Sequence, residues 1–153
     1  MISNNCTKLQ FNANVATTNA NDGFLLFEDS NDQVQQNRAS GNGSAAHPAS
    51  SGIALVGGSG HQVNNNDSDA NSCFGIYIDS TNSKIQNNTA SGNGNSGFLC
   101  AGVFVQSNTS GNTIQNNTAG GNEIYDVEDR NTGCGSNKWQ NDTFFTHNQA
   151  CVQ

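Results

Sequence analysis

Arg38, Asp67 and Asp69 are residues whose types and spacing could do chemistry. Arg38 lies four residues after Val34, Asp67 lies four after Val63, and Asp69 lies two further along. By this spacing Arg38 and Asp67 take the same outward slot in neighbouring units, a guanidinium beside carboxylates. The plainer alternative is a surface ion pair, and such pairs contribute little.

A second set is apolar. The short runs "GFLLF", "GIAL", "GIYI", "GVFV" and "EIYDV" are each four or five residues long. Strand alternation turns successive side chains to opposite faces. If Phe24, Ile53, Ile76, Val103 and Ile124 point inward, then Leu25, Ala54, Tyr77, Phe104 and Tyr125 point outward, joined by Phe27, Val56 and Val127. That is an exposed apolar and aromatic stripe, the mark of an interface or a binding site. Self-association, as a homo-oligomer and in the simplest case a trimer with the stripes at its centre, is expected ahead of sugar stacking. Leu25, Ala54 and Val56 suit packing better than they suit a sugar, whereas Tyr77, Phe104 and Tyr125 could serve as stacking platforms. A register slip that buries some of these residues is the competing reading.

The five cysteines are an odd set. Cys73 precedes Ile76 by three residues and Cys100 precedes Val103 by three, so the two share a slot. A disulfide and a pair of small buried thiols both fit that slot. A Cys134–Cys151 bridge would pin the C-terminal end, where repeat proteins fray, and leaves Cys6 over. Bridged cysteines would place the chain outside the cytoplasm. No cysteine pair has metal-site spacing, and His47, His61 and His147 fall in different slots. They are read as exposed loop residues, and no metal site is expected. No cofactor is expected from these residues either.

What could position these groups? The chain has 153 residues, a net charge of -7 and few apolar residues. A conventional layered core would be hard to fill, and the balance alone resembles a disordered chain. So acidic a chain repels phosphate backbones, which argues against nucleic acid as a partner. No apolar run approaches membrane-spanning length. The opening "MISNNCTKLQ" lacks the basic start and apolar core of a signal peptide. It begins partway into a repeat, so a trimmed fragment is expected.

The repeat rescues the core. "SKIQNNTASGN" at 83–93 returns as "NTIQNNTAGGN" at 112–122. An apolar anchor followed by Asn at +3, a small residue at +5 and Asn at +8 recurs at Phe11, Val34, Val63, Ile85 and Ile114. A worn copy starts at Trp139. The spacings are 23, 29, 22, 29 and 25 residues. Strand-length runs bounded by Gly and Asn, with no helix-length amphipathic segment, predict about three short strands per unit. Stacked as a parallel coil rising about 4.8 Å per turn, they need only a thin apolar cylinder. Asn14, Asn37, Asn66, Asn88 and Asn117 are then turn residues whose side chains form a hydrogen-bonded ladder.

The pattern N-x-I-x-x-N-x-A-x-x-N…G-I-x-L, from about Phe11 to Phe144, resembles right-handed parallel β-helix repeat proteins. These include pectate-lyase-like enzymes, periplasmic carbohydrate-binding and sugar-hydrolysing modules, and the accessory protein of nitrous oxide reductase maturation. The resemblance implies an all-β, single-domain solenoid of about six coils over residues 1–153, the last coil acting as a cap. It also implies contact with carbohydrate or a cell envelope. β-Helix polysaccharide lyases pair Ca2+-holding carboxylates with an Arg or Lys base, which Arg38, Asp67 and Asp69 match in outline. Ca2+ there, the one cofactor the resemblance implies, would ask for several more oxygens. The Asp-Pro-His-Asp tetrapeptide of β-helix mannuronan epimerases is absent, as is the paired-Asp motif of the polygalacturonases. The leading expectation is a non-catalytic structural or binding module that self-associates through its stripe. Its rival is a lyase or epimerase fragment acting on acidic polysaccharide.

Overall fold

In the computed structural model, which describes residues 1–95, 97 and 99–152, the anchors stack in one unbroken column. Phe11 pairs with Val34, Val34 with Val63, Val63 with Ile85, Ile85 with Ile114, and Ile114 with Trp139, all in parallel register. Their strands, from Gln10–Asn12 to Lys138–Gln140, form one six-stranded sheet. Its inner residues Val34, Val63, Ile85 and Ile114 are fully buried. Its outer residues are mostly amides, such as Gln35, Asn64 and Gln86.

A second six-stranded parallel sheet holds Ile2–Asn4, Phe24–Phe27, Ser51–Ser59, Phe74–Thr81, Ala101–Val105 and Tyr125–Asp129. Phe24, Ile53, Ile76, Val103 and Val127 form one inward column of this sheet. A third, shorter face carries Val15–Thr17, Arg38–Ser40, Thr89–Ser91 and Thr118–Gly120, with Asp67 bridging Arg38 to Thr89. Ala16, Ala39, Ala90 and Ala119 point inward there. Each coil therefore contributes one layer to a three-sided parallel β-helix with a narrow apolar core. Small residues on the third face and leading glycines follow from that narrowness. A Cβ on Gly75 would lie 2.6 Å from the Gly102 carbonyl and 2.8 Å from the Ala90 Cβ.

The amide columns run inside the turns. Asn37 donates through Nδ2 to Asn66 Oδ1 at 3.0 Å, Asn66 to Asn88 at 2.9 Å, and Asn88 to Asn117 at 3.0 Å. The second Nδ2 proton goes to an anchor carbonyl one coil back, as from Asn88 to Val63 at 2.9 Å. Both amide protons are used, so these Asn side chains are satisfied although buried. The left-handed backbone sits one residue earlier, at Gln36, Asn65, Asn87 and Asn116, with φ of 55–56°. The turn and the hydrogen-bonded column are thus divided between neighbouring residues, where one Asn per coil was expected to serve both. A parallel column runs from Asn19 through Asn42, Asn71 and Asn93 to Asn122.

Both columns end on a carboxylate: Asn117 donates to Asp142 at 2.9 Å and Asn122 to Asp126 at 3.0 Å. Each amide passes a proton toward the C-terminus. The last member needs only to accept, and a carboxylate does that without leaving a donor stranded. The end is also closed by Asp129, fully buried, which accepts from Trp139 Nε1 at 3.0 Å and Asn137 Nδ2 at 3.3 Å. Cys134 and Cys151 are bridged across this cap, and Cys73 and Cys100 are bridged between adjacent coils with Cα atoms 4.8 Å apart. Cys6 is a free, half-buried thiol.

Candidate functional site

The Arg38 set is brought together and left open. Arg38 and Asp67 are neighbours in register on the third face, both exposed. Asp69 Oδ1 accepts the Ser91 N–H at 2.8 Å. Burial raises the Asp69 carboxyl above its ordinary value; the Ser91 N–H opposes this, and Asp67 adds to it. Arg38 makes no ion pair within 4.0 Å among the described residues. Arg38, Asp67 and Asp69 are absent from the lining of the cavities of about 590, 310 and 320 Å3. Among the described residues no group of three or more His, Cys, Asp or Glu could hold a metal ion.

The stripe differs from its sequence-based expectation at four positions. Leu25, Ala54, Tyr77 and Phe104 do share one outward column. The fifth strand, however, enters three residues later than "EIYDV" suggested. Val127, not Ile124, pairs with Val103, and Ile124 is 41 % exposed. Val127 therefore lies in the core, and Tyr125 stands beside Ala101 instead of Phe104. Two features favour this register: Val127 fills the inward column, and Asp126 is placed to end the Asn122 column. Glu128 takes the place next to Phe104 and accepts from Arg130 Nε at 2.9 Å.

Phe104 and Ala54 are also covered. The Phe104 ring stacks on Tyr77 at 5.3 Å with an 8° interplanar angle. Phe74 packs on both rings, and the Arg130 guanidinium lies 4.7 Å from the Phe104 centroid on its other side. Phe104 is consequently 1 % exposed. Phe74, Cys73, Cys100, Ala101 and Phe104 form a second apolar cluster outside the solenoid, with Tyr77 and Tyr125 partly buried against it. Phe27 stays exposed, and Leu25 and Val56 are half-buried. The stripe is a clamped aromatic block at one end and open aliphatic surface at the other.

Between them is a notch. Ala54 is the small member of its column, flanked by Leu25 one coil down and Tyr77 one coil up. The cavity this leaves measures about 320 Å3. Tyr77 and Phe74 form one wall, Leu25 the other, and Ala54, Ser51 and Val56 the floor. Asp22 and Ala49 close one end. Tyr77 cannot swing freely, since Phe104 backs it and its hydroxyl accepts from Gln106 Nε2 at 3.1 Å. Burial, reinforced by Asp79, raises the Tyr77 hydroxyl, which keeps it neutral. Ala49 belongs to the turn that carries the only proline, Pro48. That turn also lines a larger cavity, of about 590 Å3, through Ala45 and Pro48.

The histidines divide as well. His47 and His147 are exposed, but His61 is fully buried, contrary to the loop reading. It occupies the column position that Ser83, Asn112 and Asn137 hold in later coils. The sequence signal was available, since His61 precedes its anchor Val63 by two residues just as Asn112 precedes Ile114.

No helix among the described residues is long and apolar enough to cross a membrane. A family model described as a right handed beta helix region matches residues 1–150. No curated protein and no solved structure matches the chain.

Proposed function

The chain belongs to the right-handed β-helix family, and from that premise we propose that it is a non-catalytic binding module whose ligand is a carbohydrate seated in the Ala54 notch. The observation that carries this is the sequence Leu25, Ala54, Tyr77, Phe104 along one outward column. Two strand spacings, about 9.6 Å, separate the Leu25 and Tyr77 strands. A sugar ring stacked on Tyr77 at van der Waals distance, about 4 Å, leaves its other face against Leu25. Aromatic rings present flat apolar faces while Ser51 and Asp22 supply the few oriented polar groups such a site needs. The two disulfides support an oxidising, extracytoplasmic setting.

Titration calorimetry against a panel of neutral and charged oligosaccharides tests the reading. Binding that Tyr77→Ala abolishes supports it; silence across the panel overturns it.

Self-association through the same sheet is a second reading, favoured by Ile2 at 70 % exposed and Phe27 at 38 % exposed beside Leu25. Sedimentation separates the two: an oligomer that Phe27→Asp dissociates supports association. Lyase or epimerase chemistry at Arg38, Asp67 and Asp69 would show as unsaturated or epimerised products from uronate polymers with Ca2+.

A further inference from the structure

Resting on the carbohydrate reading above, we propose that the sugar in this notch bears a free, protonated amine, as in an unacetylated hexosamine unit, which Asp22 holds while the ring stacks on Tyr77.

Among the described residues Asp22 is the only charged one lining the notch, and it also lines the adjoining cavity of about 310 Å3 with His47 and Pro48. It stands where the two hollows meet. Its Oδ1 accepts the Ser51 N–H at 2.7 Å, which aims the carboxylate, and the Asp22 N–H and the Ser51 hydroxyl also favour its charged form. Among the described residues no Lys or Arg lines either hollow. The Met1 ammonium, on the Gly23 carbonyl at 2.6 Å, favours the Asp22 carboxylate at longer range but does not line the notch.

A uronate carboxylate entering here would meet Asp22 with no cationic side chain among the described lining residues. It would also approach a chain of net charge -7. An ammonium meets the opposite field at both ranges. Burial raises the Asp22 carboxyl, with the Ser51 N–H opposing, so the half-dehydrated anion gains from a cationic partner. The hydrogen bond between them is charge-assisted and geometrically confined.

The test uses the disulfide-bonded chain and calorimetry with glucosamine oligomers, their N-acetylated counterparts and galacturonate oligomers. Glucosamine oligomers should bind about tenfold tighter than the acetylated ones, and galacturonate weakest. Asp22→Asn keeps the acceptor for Ser51, so it should fold normally and erase that preference. Equal affinity for amine and acetylated forms, or a preference that survives in Asp22→Asn, overturns the amine assignment and leaves the carbohydrate reading standing. Failure of every oligomer to bind overturns both.

Discussion

His61 Nδ1 lies 3.5 Å from Asp32 Oδ2, with both side chains fully enclosed. Neither ring nitrogen, nor that carboxylate oxygen, makes a hydrogen bond of normal geometry, although the carbonyls of Gly57 and Asp29 face the ring. Asp32 Oδ1 is used, accepting the Leu9 N–H at 2.7 Å. Where later coils place an amide or hydroxyl to accept the preceding N–H, this coil places an imidazole between carboxylates.

Replacing His61 by Asn should therefore stabilise the protein, by about 1–3 kcal/mol if the buried unpaired atoms are relieved. Burial holds the His61 imidazole below its ordinary value of 6.5, against the pull of Asp32 and Asp29. A base depressed in the folded state is protonated first in the unfolded chain, so stability declines as pH falls through that ordinary value. Burial raises Asp32, which takes up its proton first in the folded chain and offsets part of the loss at lower pH. Urea midpoints at pH 7 and pH 5 check this, since His61→Asn should flatten the decline. A variant less stable than wild type would show the imidazole to be a favourable partner.

The amide columns have a direction, and substitution should reveal it. Asn88→Asp removes donors that serve Asn117 and the Val63 carbonyl and leaves a buried anion facing two acceptors. A loss of about 3 kcal/mol or more is expected. Asp142→Asn preserves the acceptor for Asn117 and removes a carboxyl that burial raises, so it should be near neutral. Urea denaturation of the two variants measures the contrast, and equal losses would deny the polarity.

The Cys134–Cys151 bridge closes a separation of 17 residues. The chain-entropy estimate for a loop of that size is about 3 kcal/mol. Cys134→Ser with Cys151→Ser should lower the melting temperature, and amide exchange should rise first around Trp139 and Val152, which pack at that end of the core. Uniform exchange along the chain would place the weak point elsewhere.

The solenoid was legible because its determinants are local and repeated: an apolar anchor, a small residue and an Asn at constant offsets. Cys73 and Cys100 were legible as a shared slot for the same reason. The fifth strand was not, because "EIYDV" offers two apolar residues in alternate registers and lacks the leading glycine of the other units. Only Asp126 and Val127, acting on different neighbours, decide between them. The burial of Phe104 was also hidden. It depends on Arg130, which comes from the next coil and follows the strand that slipped. The notch is a size contrast between residues in neighbouring coils, and it becomes visible only once Leu25, Ala54 and Tyr77 are known to share a column.

Filling that contrast is the sharpest test of the account. Ala54→Leu places a larger side chain on the notch floor at a site that is 3 % exposed and outside the main core. Calorimetry with the tightest-binding oligosaccharide should show full binding to wild type and none to Ala54→Leu, at an unchanged melting temperature. Undiminished binding to the filled variant would contradict the placement of the ligand between Leu25 and Tyr77.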